Sequence, residues 1–152
     1  MPASCWRKPS EINERLRRAV AERAYQVCEY CLVHEEDAYH GGEMDHILSL
    51  KHGGASSLDN LAFACFHCNR HKGTDIGARA ETGAFVRLFN PRVHRWRDHF
   101  HLQSGPIEAA TEVGAATAKL LEFNHPERVA LRRILADTGR YPTIEALARM
   151  RE

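Results

Sequence analysis

At 152 residues, with 43% hydrophobic and 27% charged residues, the chain has the length of one ordinary domain, or at most a small core with a helical attachment, and the proportions of a soluble globular protein, which argues against a two-domain enzyme. No stretch approaches the roughly 18 uninterrupted apolar residues of a membrane span, and residues 1–9 carry Arg7 and Lys8 without the apolar run of a secretory leader, so a cytoplasmic protein with no membrane partner is expected. A net charge of +1 does not announce a nucleic-acid binder, although residues 67–101 hold seven basic side chains against three acidic ones. A solvated surface explains so modest an excess equally well.

The first predicted element is a helix. Ser10 can cap it, Ile12, Leu16, Val20, Ala24 and Val27 recur at three- and four-residue spacing, and Glu11 and Glu14 sit in a first turn that favours acidic side chains. The helix is expected to deliver Cys28. Residues 33–42 are polar, and 43–50 contain Met44, Ile47, Leu48 and Leu50, read as a strand. Residues 51–57, with Gly53-Gly54, read as a loop, and 58–66 are apolar again. A short helix through Cys68 to Lys72 is stopped at Gly73. Further on, strands are expected at 83–89, 95–102 and 107–111, followed by helices at 113–122, 126–137 and 143–150.

Four of the five cysteines fall into two CxxC pairs, Cys28/Cys31 and Cys65/Cys68, with Cys5 left over. No signal peptide supports a secreted disulfide framework, and no βαβ pattern surrounds either pair as a thioredoxin-like redox site requires. Two thiolates separated by two residues can turn toward one Zn²⁺ with sulfur at about 2.3 Å, so a structural four-cysteine zinc site is expected. The 33 residues between Cys31 and Cys65 exceed the interval of simple zinc ribbons and must form a structure of their own.

That insert carries Asp45-His46, Asn60-Leu61 after the Gly-Gly loop, and leads to Asn69 directly after the last cysteine. The succession CEYC, MDHILSLKHGG, DNLAFAC and CNRHKG resembles the HNH endonucleases of the ββα-metal class, in the subfamily with zinc knuckles around the active site. The likeness is close over residues 28–73, and TDIGARAETGAFVRLFNPR with WRDHF is similar to what trails this motif in bacterial HNH proteins. The fold it implies is α+β: a small zinc-stabilised ββα-metal core with a preceding helix, residues 10–75, and a C-terminal extension of short strands and helices, 76–152, packed on it within one domain.

The resemblance also implies a metal-dependent endonuclease acting on DNA, with no small-molecule substrate. His46 would activate water, since imidazole titrates near pH 6.5 and is a natural base at neutral pH. Asp45 and Asn69 would hold a catalytic ion, and oxygen donors of this kind suit Mg²⁺ or Mn²⁺. Asn60 would brace the loop that holds the base, an amide being able to donate and accept. Asn69 stands where the family letters have a histidine, which disfavours Zn²⁺ at the catalytic position. Neighbours on a strand face opposite sides, so Asp45 and His46 both become useful only at a bulge or a strand end. Arg70, Lys72, Arg87 and Arg92 are candidate phosphate contacts. His67 and His71 are open between phosphate contact, ligation and plain surface, Asn60 could be a cap after Asp59, and Asn69 a plain helix residue. The rival reading is a zinc-stabilised nucleic-acid-binding module without turnover, with a redox dithiol protein a distant third.

Overall fold

The computed structural model describes residues 11–152. Ser10 and Cys5 lie outside them, and the first helix, α1 (Glu14–Arg23), starts later than expected, behind Asn13, whose side chain accepts from the Leu16 N–H at 2.8 Å. It also ends earlier. Tyr25 and Gln26 take positive φ, turning the chain so that Val27 bridges His34 and encloses the first knuckle, and Cys28 therefore sits in a tight loop.

Strand β1 (Gly42–His46) pairs antiparallel with β2 (Leu61–Cys65) in a regular register that sets Asp45 opposite Ala62 and His46 opposite Leu61. The expected strand 43–50 thus stops four residues early, because Leu50–His52 coils into a 3₁₀ turn capped by Ser49. Helix α2 (Phe66–Lys72) begins directly at the end of β2 with Cys65 as its cap, its sulfur accepting from the Cys68 N–H at 3.4 Å. This is a ββα unit, and its second knuckle forms the joint between strand and helix.

The C-terminal half departs from expectation in its strands. Strand β4 (Phe85–Arg87) pairs with β3 (Gly77–Arg79), which the sequence pattern did not reveal. The expected strand 95–102 splits into a helical turn, α3 (Trp96–His99), and β5 (Phe100–Leu102), which pairs with β6 (Ile107–Ala109). Trp96 is the reason: it is buried, and its indole N–H donates to the Tyr30 carbonyl at 2.8 Å, which a continuous strand would have turned away. The helices α4 (Glu112–Leu120), α5 (Pro126–Asp137) and α6 (Ile144–Arg151) fall within a residue or two of their expected bounds, each opened by a side-chain cap.

One buried cluster runs from Val27 and the four paired cysteines through Trp96, Phe100, Leu121 and Phe123 to Tyr141 and Ala146, so residues on both sides of position 75 share a core. A smaller one joins Val20 and Ala24 of α1 to Leu61 and Phe63 of β2. The architecture is α+β, and among the described residues no helix is long and apolar enough to cross a membrane.

Candidate active site

The sulfurs of Cys28, Cys31, Cys65 and Cys68 all lie within 4.8 Å of one another and are buried. Cys31 and Cys65, from different knuckles, are 3.7 Å apart at sulfur, close to the roughly 3.8 Å edge of a tetrahedron with zinc at its centre. A redox-active thiol needs solvent access, whereas these four are at most 5% exposed. Arg128, on α5, donates to Cys68 Sγ at 3.1 Å and approaches Cys65 Sγ at 3.8 Å. Burial opposes its charge, but the sulfurs of Cys68, Cys31 and Cys65 outweigh that and hold its proton above the ordinary arginine range. The cluster fits a Zn²⁺ bound by four thiolates, whose net negative charge a buried guanidinium would offset.

His46 is the last residue of β1, a strand end with no bulge. Its ring is half-buried, and Nε2 lies 2.9 Å from Ser56 Oγ across the loop. Burial, helped by the Lys72 charge, lowers its pKa, so the imidazole is neutral at pH 7 with a lone pair to use. Asn60 clamps the intervening loop with three bonds: Oδ1 accepts from the Leu48 N–H at 2.9 Å, and Nδ2 donates to Leu48 O and Ala55 O, each at 2.8 Å. Gly54 must be glycine, since a Cβ there would meet Leu48 O at 1.8 Å and Asn60 Nδ2 at 2.7 Å. We expect Asn60→Ala to leave three backbone groups of this loop without their partner, lowering stability by about 1–3 kcal/mol in thermal or urea unfolding and loosening the loop that faces His46.

Asp45 is placed differently. It is 2% exposed, with Oδ2 accepting from the Tyr30 hydroxyl at 2.5 Å and Oδ1 from the Lys72 ammonium at 3.1 Å. Burial pushes its carboxyl up, while Lys72 and Tyr30 pull it down. Lys72 itself is 1% exposed and also donates to the carbonyls of His46 at 2.9 Å and Ile47 at 3.2 Å. The expectation that Lys72 contacts phosphate is therefore corrected: it is an internal strut between α2 and the end of β1. Asn69, one turn earlier on α2, is half-buried and donates to Glu43 Oε2 at 2.6 Å. Glu43 was missed by sequence reasoning, though it stands two residues before Asp45 and so on the same face of β1.

The other expected contacts scatter. Arg70 is exposed, its guanidinium 4.7 Å from the Phe66 ring centre, and Arg87 is exposed on β4. Arg92 is largely withdrawn from solvent and bonded to the buried Glu29, a correction to its reading as a free phosphate contact. His67 and His71 line a separate recess of about 250 Å³ beside the cysteine cluster, with His71 3.3 Å from Glu122. No curated protein and no solved structure matches the chain significantly. Residues 28–75 match the family model of HNH endonucleases. The matched segment holds His46, Asn60, Asn69 and all four clustered thiols, so the similarity to HNH endonucleases falls on the candidate site itself.

Proposed function

We propose that the face formed by β1, the clamped loop and α2 hydrolyses phosphodiester bonds of DNA in a divalent-ion-dependent reaction, with His46 as the base. The observation that carries this reading is a neutral, half-buried imidazole at a strand end, facing a loop that Asn60 fixes by three bonds. His46 can take a proton from water at one ring nitrogen while Ser56 holds the other side of the ring in place. The oxygen donors are of the right kind for a Mg²⁺- or Mn²⁺-type ion, which when bound would supply positive charge to the phosphate and the departing oxygen. Asn69 and Asp45 are the proposed ligands, with Glu43 beside Asn69 as an additional carboxylate. Asp45 can serve only if its bond to Lys72 is exchanged for the ion.

That closure of Asp45 by Tyr30 and Lys72 is also the one observation that favours the alternative, a zinc-stabilised nucleic-acid-binding module without turnover. A plasmid-nicking assay decides between them. Nicking with added Mg²⁺ or Mn²⁺, stopped by EDTA and restored by either ion, is the expected result; retained DNA binding with no nicking in both ions selects the alternative. Asn69→Ala should raise the Mg²⁺ concentration for half-maximal rate by at least about tenfold. An unchanged Mg²⁺ dependence removes Asn69 from the ligand set.

A further inference from the structure

Three arginines from distant parts of the chain meet around Glu29, on the edge of β2 away from β1. Glu29 is 1% exposed; Oε1 accepts from both Arg92 and Arg149, and Oε2 accepts from the Phe63 N–H at 2.7 Å. Its one negative charge and both its oxygens are thus spent on two guanidinium groups. Arg23, the third, donates to neutral acceptors only, the carbonyls of Leu58 at 2.8 Å and Leu61 at 2.7 Å. The Nε–H groups of Arg23 and Arg92 are buried with no acceptor.

Arg23, Arg92 and Arg149 line an open recess of about 500 Å³, together with Arg95, His94 and Glu152. Arg95 is exposed and makes no ion pair among the described residues. Of the four guanidinium groups that line the recess, Arg92 and Arg149 are paired with Glu29 behind its wall, while Arg23 bonds only carbonyls, with Asp59 and Glu29 acting on it without a direct bond, and Arg95 has no ion pair among the described residues. Burial first, and then repulsion by Arg92 and Arg149, make the Arg23 proton less firmly held than an ordinary arginine's, against the opposing pull of Glu29 and Asp59.

We infer that this recess is a phosphate-binding site that takes the sugar-phosphate backbone of the nucleic acid beyond the cleavage point. Planar guanidinium forks match phosphate oxygens, and such contacts set the position of a duplex without reading its bases. The recess is one strand away from the proposed base: Leu61, whose carbonyl Arg23 holds, is the residue paired with His46. The inference rests on the nuclease reading for the identity of its ligand, but it is tested by binding alone.

The test uses full-length His46→Ala protein, silent in cleavage, and a fluorescently labelled DNA duplex followed by anisotropy over a series of salt concentrations without divalent ions. Arg95 is the residue to change, since it is exposed and has no ion pair among the described residues, and its loss cannot unmask Glu29. Arg95→Ala should weaken binding about three- to tenfold and lower the slope of log affinity against log salt by about 1, and Arg95→Glu should weaken it further. Arg23→Gln, which keeps an N–H donor but removes the charge, should act like Arg95→Ala. Arg133→Glu, an exposed reversal on α5 outside the recess, should change affinity less than twofold. Tight binding by the parent with Arg95→Glu indistinguishable from it overturns the recess and leaves the nuclease reading standing. A parent that binds no duplex even at low salt overturns both.

Discussion

His46→Ala should remove DNA cleavage almost completely, by a factor of about 10²–10⁴, while the protein stays folded and keeps most of its affinity for duplex. The side chain contributes one hydrogen bond, to Ser56, and lies half in solvent. What anchors this position is backbone: the β1–β2 pairing with Leu61 and the carbonyl that accepts from Lys72, both of which alanine retains. The stability cost is accordingly about 1 kcal/mol, visible as a small shift in thermal unfolding. Nicking rate, melting temperature and duplex affinity measured on the same preparation separate the possibilities. Activity that persists undiminished sinks the catalytic assignment, and binding lost in step with activity makes His46 a structural residue.

The parts of this site that the sequence disclosed are those whose chemistry is local. Two cysteines two residues apart make a knuckle whatever surrounds them, and Asn60 bonds to a loop only 5 and 12 residues away. The bounds of the last helices were similarly legible, because Thr111 and Thr143 cap theirs within three residues, whereas the first helix starts behind Asn13 and not at the expected Ser10. The failures are contacts between remote residues. Lys72 looks like a basic surface residue at the end of a helix, and only the approach of β1, 27 residues earlier, turns it into a buried partner of Asp45. Trp96 converts an alternating pattern into a helical turn through a bond to Tyr30, 66 residues away. Arg92 and Arg149 reach Glu29 over separations of 63 and 120 residues, which no periodicity announces. Had Glu29 been weighed as a charge inside the otherwise sealed CEYC knuckle, the need for buried cationic partners would have been apparent, though not their identity.

Stripping the metal from the cysteine cluster should unfold the chain rather than merely slow it. Purified protein is expected to carry one zinc per chain. The four thiols lie within the larger buried cluster, drawn from one knuckle that precedes β1 and one at the joint of β2 and α2, and the C-terminal elements pack on the same core. Among the described residues no disulfide joins the two knuckles, and binding free energy in such a site is folding free energy. A strong chelator should therefore abolish the cooperative unfolding transition, whereas a brief exposure to EDTA that stops cleavage should leave zinc in place. Apo protein that still melts cooperatively near the holo temperature would count against a structural site. Arg128 supplies the graded version of the same experiment. Its guanidinium bonds Cys68 Sγ and also the carbonyls of Leu121 at 2.6 Å and Glu122 at 3.1 Å, so it ties the metal cluster to the joint between α4 and α5. Arg128→Leu should weaken zinc retention by about 10–100-fold in competition with a chromogenic chelator while leaving stoichiometry at one when zinc is in excess. Unchanged retention would mean that the guanidinium serves the two carbonyls alone, and the charge of four thiolates would then need another counterpart, for which Arg132, buried on the same helix, is the nearest candidate.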